Sequence, residues 1–590
     1  MTQSVAIIGC GPWGLAVLER LICNFSMPPN HTTPLKIHIV EPKTPGVGVY
    51  MEHLPEYFLL NTVSGQIDLF GYRYLNSDFT ATYQPLSFFE WLDFNGYKIN
   101  DYGSYRDVER TDFCPRAWLG RYLQWVYETL VSNLPTNLTV QLHPDFADQI
   151  ISEGNREVIM LRNNGQISAD FAIITLGHAE SLDIDCNKKQ LHGKGQPFNP
   201  FPYQRLLTDI NDGQTVIVSG MGLTSIDVIS TLTIGKGGRF TRSDNGQLNY
   251  HPSGREPLIL QCSRSGLPYL SRPTKIEDSV SSYTPVFVTQ SAIDEIRKKG
   301  ELDFRADILP LLWKEMINMY YNDHSVLKTE FFPEDIFFGN QVTYTDSASY
   351  QKAVIHQISV DILNAKDNSP EKKAIEMIRV LRDVFRYATD FGGLSRASFH
   401  DYHKRIVPLL YRAVVGPPVH KSEELRALVE AGVLQHPFAQ NPKISYQESR
   451  WIVQSTSLKI PLTRTADHLV LGYIPSSLME LSSVLIENLL KSGRFKRLSD
   501  QVDIGIEITP KFHPLTAGNK IQERLYVLGL MTEGSRNLNL YIPSPQSRLR
   551  AFHDADSCVK DIADKLVGLR GATEHTNVMR KDVAFDEAIY

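Results

Sequence analysis

Gly9-Cys10-Gly11-Pro12-Trp13-Gly14 and Gly220-Met221-Gly222-Leu223-Thr224-Ser225 are two glycine-rich turns whose spacing suits a dinucleotide pyrophosphate. In such a turn the first glycine allows the tight bend and the second lets the backbone approach the phosphates. The third packs the following helix closely on its strand. The helix N-terminus then offers free N–H groups and positive dipole to the anion. In the second turn the third glycine is replaced by Ser225, small enough for similar packing. An acid ending the next strand completes such a site by hydrogen-bonding a ribose hydroxyl. Glu41 takes that place after the first turn, later than the usual ~20 residues. The Pro-rich excursion from Ser26 to Pro34 accounts for the delay. After the second turn the place belongs to Ser263 and Arg264. An arginine there can pair with a 2′-phosphate and so favours NADP over NAD; the plain alternative is a surface arginine.

Each turn has the flanking elements that it needs. Val5-Ala6-Ile7-Ile8 reads as a buried parallel strand, Leu15 to Leu21 as a helix, and Lys36 to Val40 as the next strand. Together they make a βαβ unit. The second unit runs from Val216-Ile217-Val218-Ser219 through a helix containing Ile226 to Ile229, and ends at Leu258 to Cys262. Between the units, Asp170 to Leu176 is a buried strand that closes on Gly177. From about Ala292 to Leu434 the periodicity is helical, with strand-like runs around Trp451 and from His468 to Leu471. Arg524 to Gly529 returns to the buried α/β type, and a helix follows near Ala555 to Leu569.

The expected architecture is therefore α/β, with two Rossmann-like dinucleotide-binding domains and a largely helical addition. The ranges are 1–200 for the first unit, 201–275 for the second and 276–505 for a helical cap. Residues 506–570 return to the first domain, and 571–590 read as a polar tail.

Bulk properties narrow the function classes. The 590 residues are too many for one core, and 42% apolar with 21% charged residues is the balance of a folded soluble chain. Net charge is -6 with no basic block, which argues against a nucleic-acid surface. No apolar run nears the ~18 residues of a membrane span, and the N-terminus lacks a signal-peptide pattern. Six cysteines without paired spacing fit a reducing cytoplasm, where they serve as small buried apolar groups. The 17 histidines show no ligand spacing, so no metal site is expected, and no GxSxG elbow appears. Two dinucleotide units in one chain suit hydride delivery from a nicotinamide to a flavin, with the protein positioning the rings.

At these residues the chain resembles the FAD/NAD(P)-binding proteins that include flavin-dependent N-hydroxylating monooxygenases. Gly9 to Leu21, Leu59-Leu60-Asn61-Thr62, Pro115-Arg116 with Gly120 to Leu123, and Thr175 to His178 carry the likeness. So do Gly222 to Asp227, Gly254 to Pro257, Ser263 to Gly266 and Phe391 to Leu394. Gly416-Pro417-Pro418 and Leu428 to Gly432 extend it into the helical half. The resemblance implies FAD at the first turn and NADPH at the second. It also implies transfer of oxygen from dioxygen to the amine of a small amino acid, with aspartate first among candidates. A reductase or oxidase without oxygen transfer, or a dinucleotide-binding regulatory protein, stays open beside it, as does a homo-oligomer.

By the same resemblance Asn61 and Thr62 lie beside the flavin ring; as residue types they equally suit a turn. Arg116 pairs with the FAD pyrophosphate or caps the following helix, and His178, after a strand-end glycine, reads as a positioning residue rather than a base. Arg272 and Arg412 are candidates for gripping a substrate carboxylate, since a planar guanidinium suits bidentate pairing, or else they are structural. The family usually has an acid directly after the glycine of the last strand. Here Gly529 is followed by Leu530-Met531-Thr532-Glu533-Gly534, so the group holding the phosphoribityl side of FAD is left open.

Overall fold

A computed structural model describes residues 3–76, 78–163, 165–177, 195–274, 283–322, 330–339, 342–474, 483–539, 542–543 and 550–567. His178, Cys186 and the tail from 571 lie outside them. β1 (Gln3–Ile8), α1 (Pro12–Ser26) and β2 (Leu35–Val40) form the first expected unit. α2 (Arg116–Ser132) leads to β3 (Leu138–His143), and β4 (Phe171–Ile174) returns beside β1. β9 (Leu525–Val527) closes the sheet, whose order is β9-β4-β1-β2-β3 with every pair parallel. Val5, Ala6 and Ile7 are fully buried, which is why the strand is an unbroken apolar run rather than an alternating one.

α1 starts with Pro12 in its first turn, a place where the missing N–H costs nothing. It is buried on almost all sides, and its Glu19 and Arg20 satisfy each other through Nε–Oε2 at 2.5 Å. Glu19 also accepts from the Tyr72 N–H at 2.9 Å, so this buried pair pins the loop that follows β2 to the helix.

The second sheet holds β5 (Thr215–Ser219), followed by α3 (Leu223–Thr233), and β6 (Leu258–Cys262). Its outer strands are β7 (Leu434–Gln435) and β8 (His468–Leu471), in the parallel order β7-β6-β5-β8. The second unit thus extends beyond 201–275 and recruits strands from the stretch expected to be a helical cap. Two-residue β7 is too short to show any period. β8 was legible as a strand but not as a member of this sheet.

The stretch between β6 and β7 is helical as expected. Leu309–Asn322, Ser347–Lys366, Pro370–Val380, α4 (Val407–Val414) and α5 (Val419–Glu430) are its main helices. Its core gathers Phe304, Leu312, Met316, Met377, Phe385 and Tyr402. Residues 443–466 add a three-stranded antiparallel meander. Residues 550–567 form a helix packed on the first domain through Phe552, Ala555 and Val559.

Candidate active site

The first glycine turn is built as its spacing implies. Gly9 has φ +87° and donates its N–H to the Val40 carbonyl at 2.9 Å, so the bend binds the ends of β1 and β2 together. A Cβ at Gly14 would overlap the Gly9 carbonyl oxygen, which explains the third small residue. A Cβ at Gly11 would meet only the Gly48 Cα at 3.5 Å, an ordinary contact. The N-terminus of α1, with Gly11 as its N-cap, has no side-chain cap. Its uncapped N–H donors, reached through the glycine turn, suit an anionic ligand.

Glu41 faces this turn. Its Oε2 accepts from the Cys10 N–H at 2.7 Å and its Oε1 from the Lys43 N–H at 3.2 Å, which leaves lone pairs for a ribose. Burial raises its pKa above the ordinary carboxyl range. Gly177 is exposed at the C-terminal end of the β4 segment, with open space where a Cβ would stand. At the end of the β9 segment, Gly529 packs against the Trp13 ring, to which a Cβ would come within 3.2 Å. Glycine turn, strand-end glycine and last strand therefore meet at the carboxyl edge of one parallel sheet, where doubly wound folds bind their ligands. This geometry fits FAD.

The second turn repeats the design. Gly220 has φ +140° and lies against the Gly472 backbone. Ser225 Oγ donates to the Gly222 carbonyl at 2.7 Å, and Gln261 Nε2 reaches the Gly220 carbonyl at 2.9 Å. The N-terminus of α3 is also without a side-chain cap. Ser263 Oγ accepts from the Gly266 N–H at 3.0 Å and shapes the bend after β6. Arg264 is exposed there, and its guanidinium has no partner among the described residues. The Tyr269 ring covers Gly222, 3.1 Å from where a Cβ would be. The Tyr269 hydroxyl lies in the field of both Arg264 and Arg412.

The arginines take different places. Arg116 donates from Nε to the Leu59 carbonyl at 3.0 Å and from Nη1 to Asp227 at 2.6 Å. It steadies the segment that presents half-buried Asn61 and buried Thr62, and it binds the first unit to α3. Two of its nitrogens are thus committed to protein groups and not held open for a pyrophosphate. Arg272 is buried and paired with Glu376, Nη1 to Oε1 at 3.0 Å. Its charge is already answered. Arg412, 3% exposed, donates from Nη1 to the Pro268 carbonyl at 3.2 Å, and its Nε has no partner among the described residues. Asp361, the carboxylate whose field it feels, is bonded to Lys372 and to the Ser271 N–H. Burial lowers the Arg412 pKa to about 10. Of the two arginines, Arg412 is the one left for an anionic ligand.

Sequence reasoning passed over Tyr269 and Glu533. Both sit in short loops after the strands that carry the two sites, and that position is the signal that could have pointed to them. Among the described residues no group of His, Cys, Asp or Glu has the arrangement of a metal site. The five described cysteines are free and buried. No described helix is long and apolar enough to cross a membrane.

Residues 6–179 match the FAD-NAD(P)-binding family model, which spans the first glycine turn, Glu41, Arg116 and Gly177. The nitrosuccinic acid synthase of Aspergillus oryzae is 27% identical over 589 aligned positions, 90% of this chain and 88% of that one. The nitrosuccinate-forming L-aspartate N-monooxygenase of Streptomyces davaonensis is 27% identical over 97% of this chain and 99% of its own. The ornithine N-hydroxylase of Kutzneria sp. 744 is 12% identical, covers 96% of this chain and 100% of its own, and superposes with a TM-score of 0.43.

Proposed function

We propose that the chain is an FAD-containing monooxygenase that uses NADPH and dioxygen to hydroxylate the amine nitrogen of a small, carboxylate-bearing amino acid, with L-aspartate the first candidate. The observation that carries this reading is the buried Arg412 guanidinium, bonded to no carboxylate among the described residues and set beside Tyr269, which covers the second of two uncapped glycine-turn helices. Alignment over nearly the full length with relatives named as L-aspartate N-monooxygenases supports the substrate class.

Gly9, Gly11, Pro12, Gly14 and Glu41 would hold FAD, with Asn61 and Thr62 on the segment steadied by Arg116. Gly220, Gly222, Ser225, Ser263 and Arg264 would hold NADPH. When bound, FAD accepts hydride from the nicotinamide and activates dioxygen. The chain's own residues do the rest. Arg412 pairs with the substrate carboxylate in a desolvated place, where such a pair is strong and directional. The helical region covers the site and excludes water, which keeps the oxidising equivalent from escaping as peroxide. Arg272, tied to Glu376, is a structural neighbour of Arg412 in this reading. A cytoplasmic location suits the free thiols.

The test is NADPH-driven oxygen uptake by purified, FAD-loaded protein with and without L-aspartate, scored as N-oxygenated product formed per NADPH. Product from L-aspartate or another amino acid supports the proposal. NADPH consumption that yields only peroxide across all amino acids would replace it with an oxidase or reductase.

A further inference from the structure

The loop that leaves β9 carries a carboxyl group to which the function proposed above gives no role. Glu533 accepts the N–H of Leu538 at Oε1 and that of Asn539 at Oε2, each at 2.9 Å. A carboxylate accepts about four hydrogen bonds, so each oxygen keeps capacity. The side chain has no ion pair among the described residues, although cations are close. Arg386 gives Nε and Nη2 to the carbonyls of Asn537 and Leu538, at 3.2 and 2.8 Å, and Nη1 to Asp383. Arg536 and Arg550 are both bonded to Asp390. The charged and titratable groups in the field of Glu533 are thus Arg386, Asp390, and the phenols of Tyr402 and Tyr411.

Glu533 and Tyr411 are strongly desolvated and half-buried, and the Tyr411 phenol lies in the field of Glu533. The same loop contains surplus acceptors. Asn537 Oδ1 and Asn539 Oδ1 are buried with no partner among the described residues, while their amide nitrogens are hydrogen-bonded. Tyr402 and Tyr411 thus bring the helical region to the loop that follows Gly529 at the flavin-binding edge. Tyr411 also lies in the field of Tyr269, which leads back to Arg412 and the second glycine turn. An unpaired carboxyl with orphan acceptors beside it matches a group that has three donors and no acceptor, as an ammonium has.

We propose that Glu533 receives the ammonium group of the amino-acid substrate and takes its proton, freeing the nitrogen lone pair for hydroxylation. This rests on the function proposed above. In the step an N–H bond of the ammonium breaks, its electron pair stays on nitrogen, and the proton passes to a Glu533 oxygen. The step is needed because an ammonium has no lone pair to attack an electrophilic oxygen. Burial, opposed by the two backbone N–H donors, pushes the Glu533 carboxyl up to about 7, which suits a proton acceptor working near neutrality.

The experiment compares wild type, Glu533→Gln and Glu533→Asp, all FAD-loaded, with L-aspartate as probe from pH 6 to 9. Flavin reduction by NADPH should be the same in all three. Product per NADPH should fall at least tenfold in E533Q at pH 7 and recover by about tenfold per pH unit as the free amine grows. E533D, which keeps a carboxylate, should retain the wild-type pH profile at a lower rate; it also serves if E533Q does not hold FAD. Calorimetry in buffers of different ionisation enthalpy adds a readout without turnover. Binding of L-aspartate to wild type at pH 7 should release protons as the arriving cation ionises Glu533, and E533Q should release none. Equal coupling at every pH in wild type and E533Q, or equal proton release, overturns the role of Glu533 alone. Absence of product from wild type with any amino acid overturns the function as well, and the wild-type arm tells the two failures apart.

Discussion

The Arg116 guanidinium and the Asp227 carboxylate stand 2.6 Å apart, joining the first turn of α2 to α3 of the other dinucleotide unit. Asp227 is buried, and burial raises its pKa while Arg116 opposes the rise. Arg116→Ala should therefore destabilise the protein by about 3–5 kcal/mol, the range for stranding one partner of a buried pair. The sign with pH follows from the raised carboxyl. A stranded Asp227 penalises the fold only once it must ionise, so the deficit against wild type should shrink as pH falls toward 5. Chemical denaturation of both proteins at pH 5 and pH 8 measures this. A deficit that is equal at the two values refutes it.

Arg272 and Arg412 should separate cleanly. Arg272→Met leaves Glu376 buried beside Arg379 alone, 3.6 Å away, and should cost about 3 kcal/mol of stability. Arg412→Met removes a desolvated charge that is bonded to no carboxylate among the described residues, so the melting temperature should hold or rise. KM for the amino-acid substrate should increase at least tenfold, because a charge-assisted pair is lost. Thermal melts and steady-state kinetics on the two variants decide the matter, and the reverse pattern would make Arg272 the ligand.

Arg264→Ala removes an exposed guanidinium with no partner among the described residues, so stability should be unchanged. NADPH binding should weaken by about 1.5–3 kcal/mol, and NADH binding should hardly change. Rates of flavin reduction at limiting concentrations of each cofactor supply the measurement. Equal losses for both would show that Arg264 does not read the 2′-phosphate.

The two inner glycines of the first turn should fail differently. Gly14→Ala drives a methyl into the Gly9 carbonyl and should lower stability by about 1–3 kcal/mol, as overpacking does. At Gly11 a Cβ meets only Gly48 at ordinary contact distance, so Gly11→Val should fold and lose FAD. Flavin absorbance after purification, set beside a melt of the apoprotein, distinguishes the two. Retention of FAD by G11V would remove the first turn from the cofactor site.

What the chain disclosed in advance was local. A glycine turn, its preceding strand and the acid of the next strand lie within one βαβ unit, so spacing alone placed Gly9, Gly11, Gly14 and Glu41. Arg272 and Arg412 looked alike because their difference is Glu376, a partner supplied by another helix. Arg116 was read against a phosphate or a helix end, while its partner, Asp227, lies 111 positions away. Glu533 is not legible from the family pattern, which places an acid directly after the glycine of the last strand. In this chain the acid comes at the end of the short loop and turns toward the helical region.

β9 pairs with β4, yet the ribosome makes it ~350 residues later, which at 5–20 residues per second is roughly 18–70 s. β8 likewise joins β5 long after β5 has emerged. During that interval each nascent sheet presents an unpaired apolar edge, with Phe171 to Ile174 uncovered in one and Val216 to Val218 in the other. The first nucleotide site is incomplete on a chain that ends before Leu525, and the second on one that ends before His468. Assembly of the two cofactor domains is therefore a late event, and full-length synthesis, rather than the order of domains along the chain, decides when the flavin can be taken up.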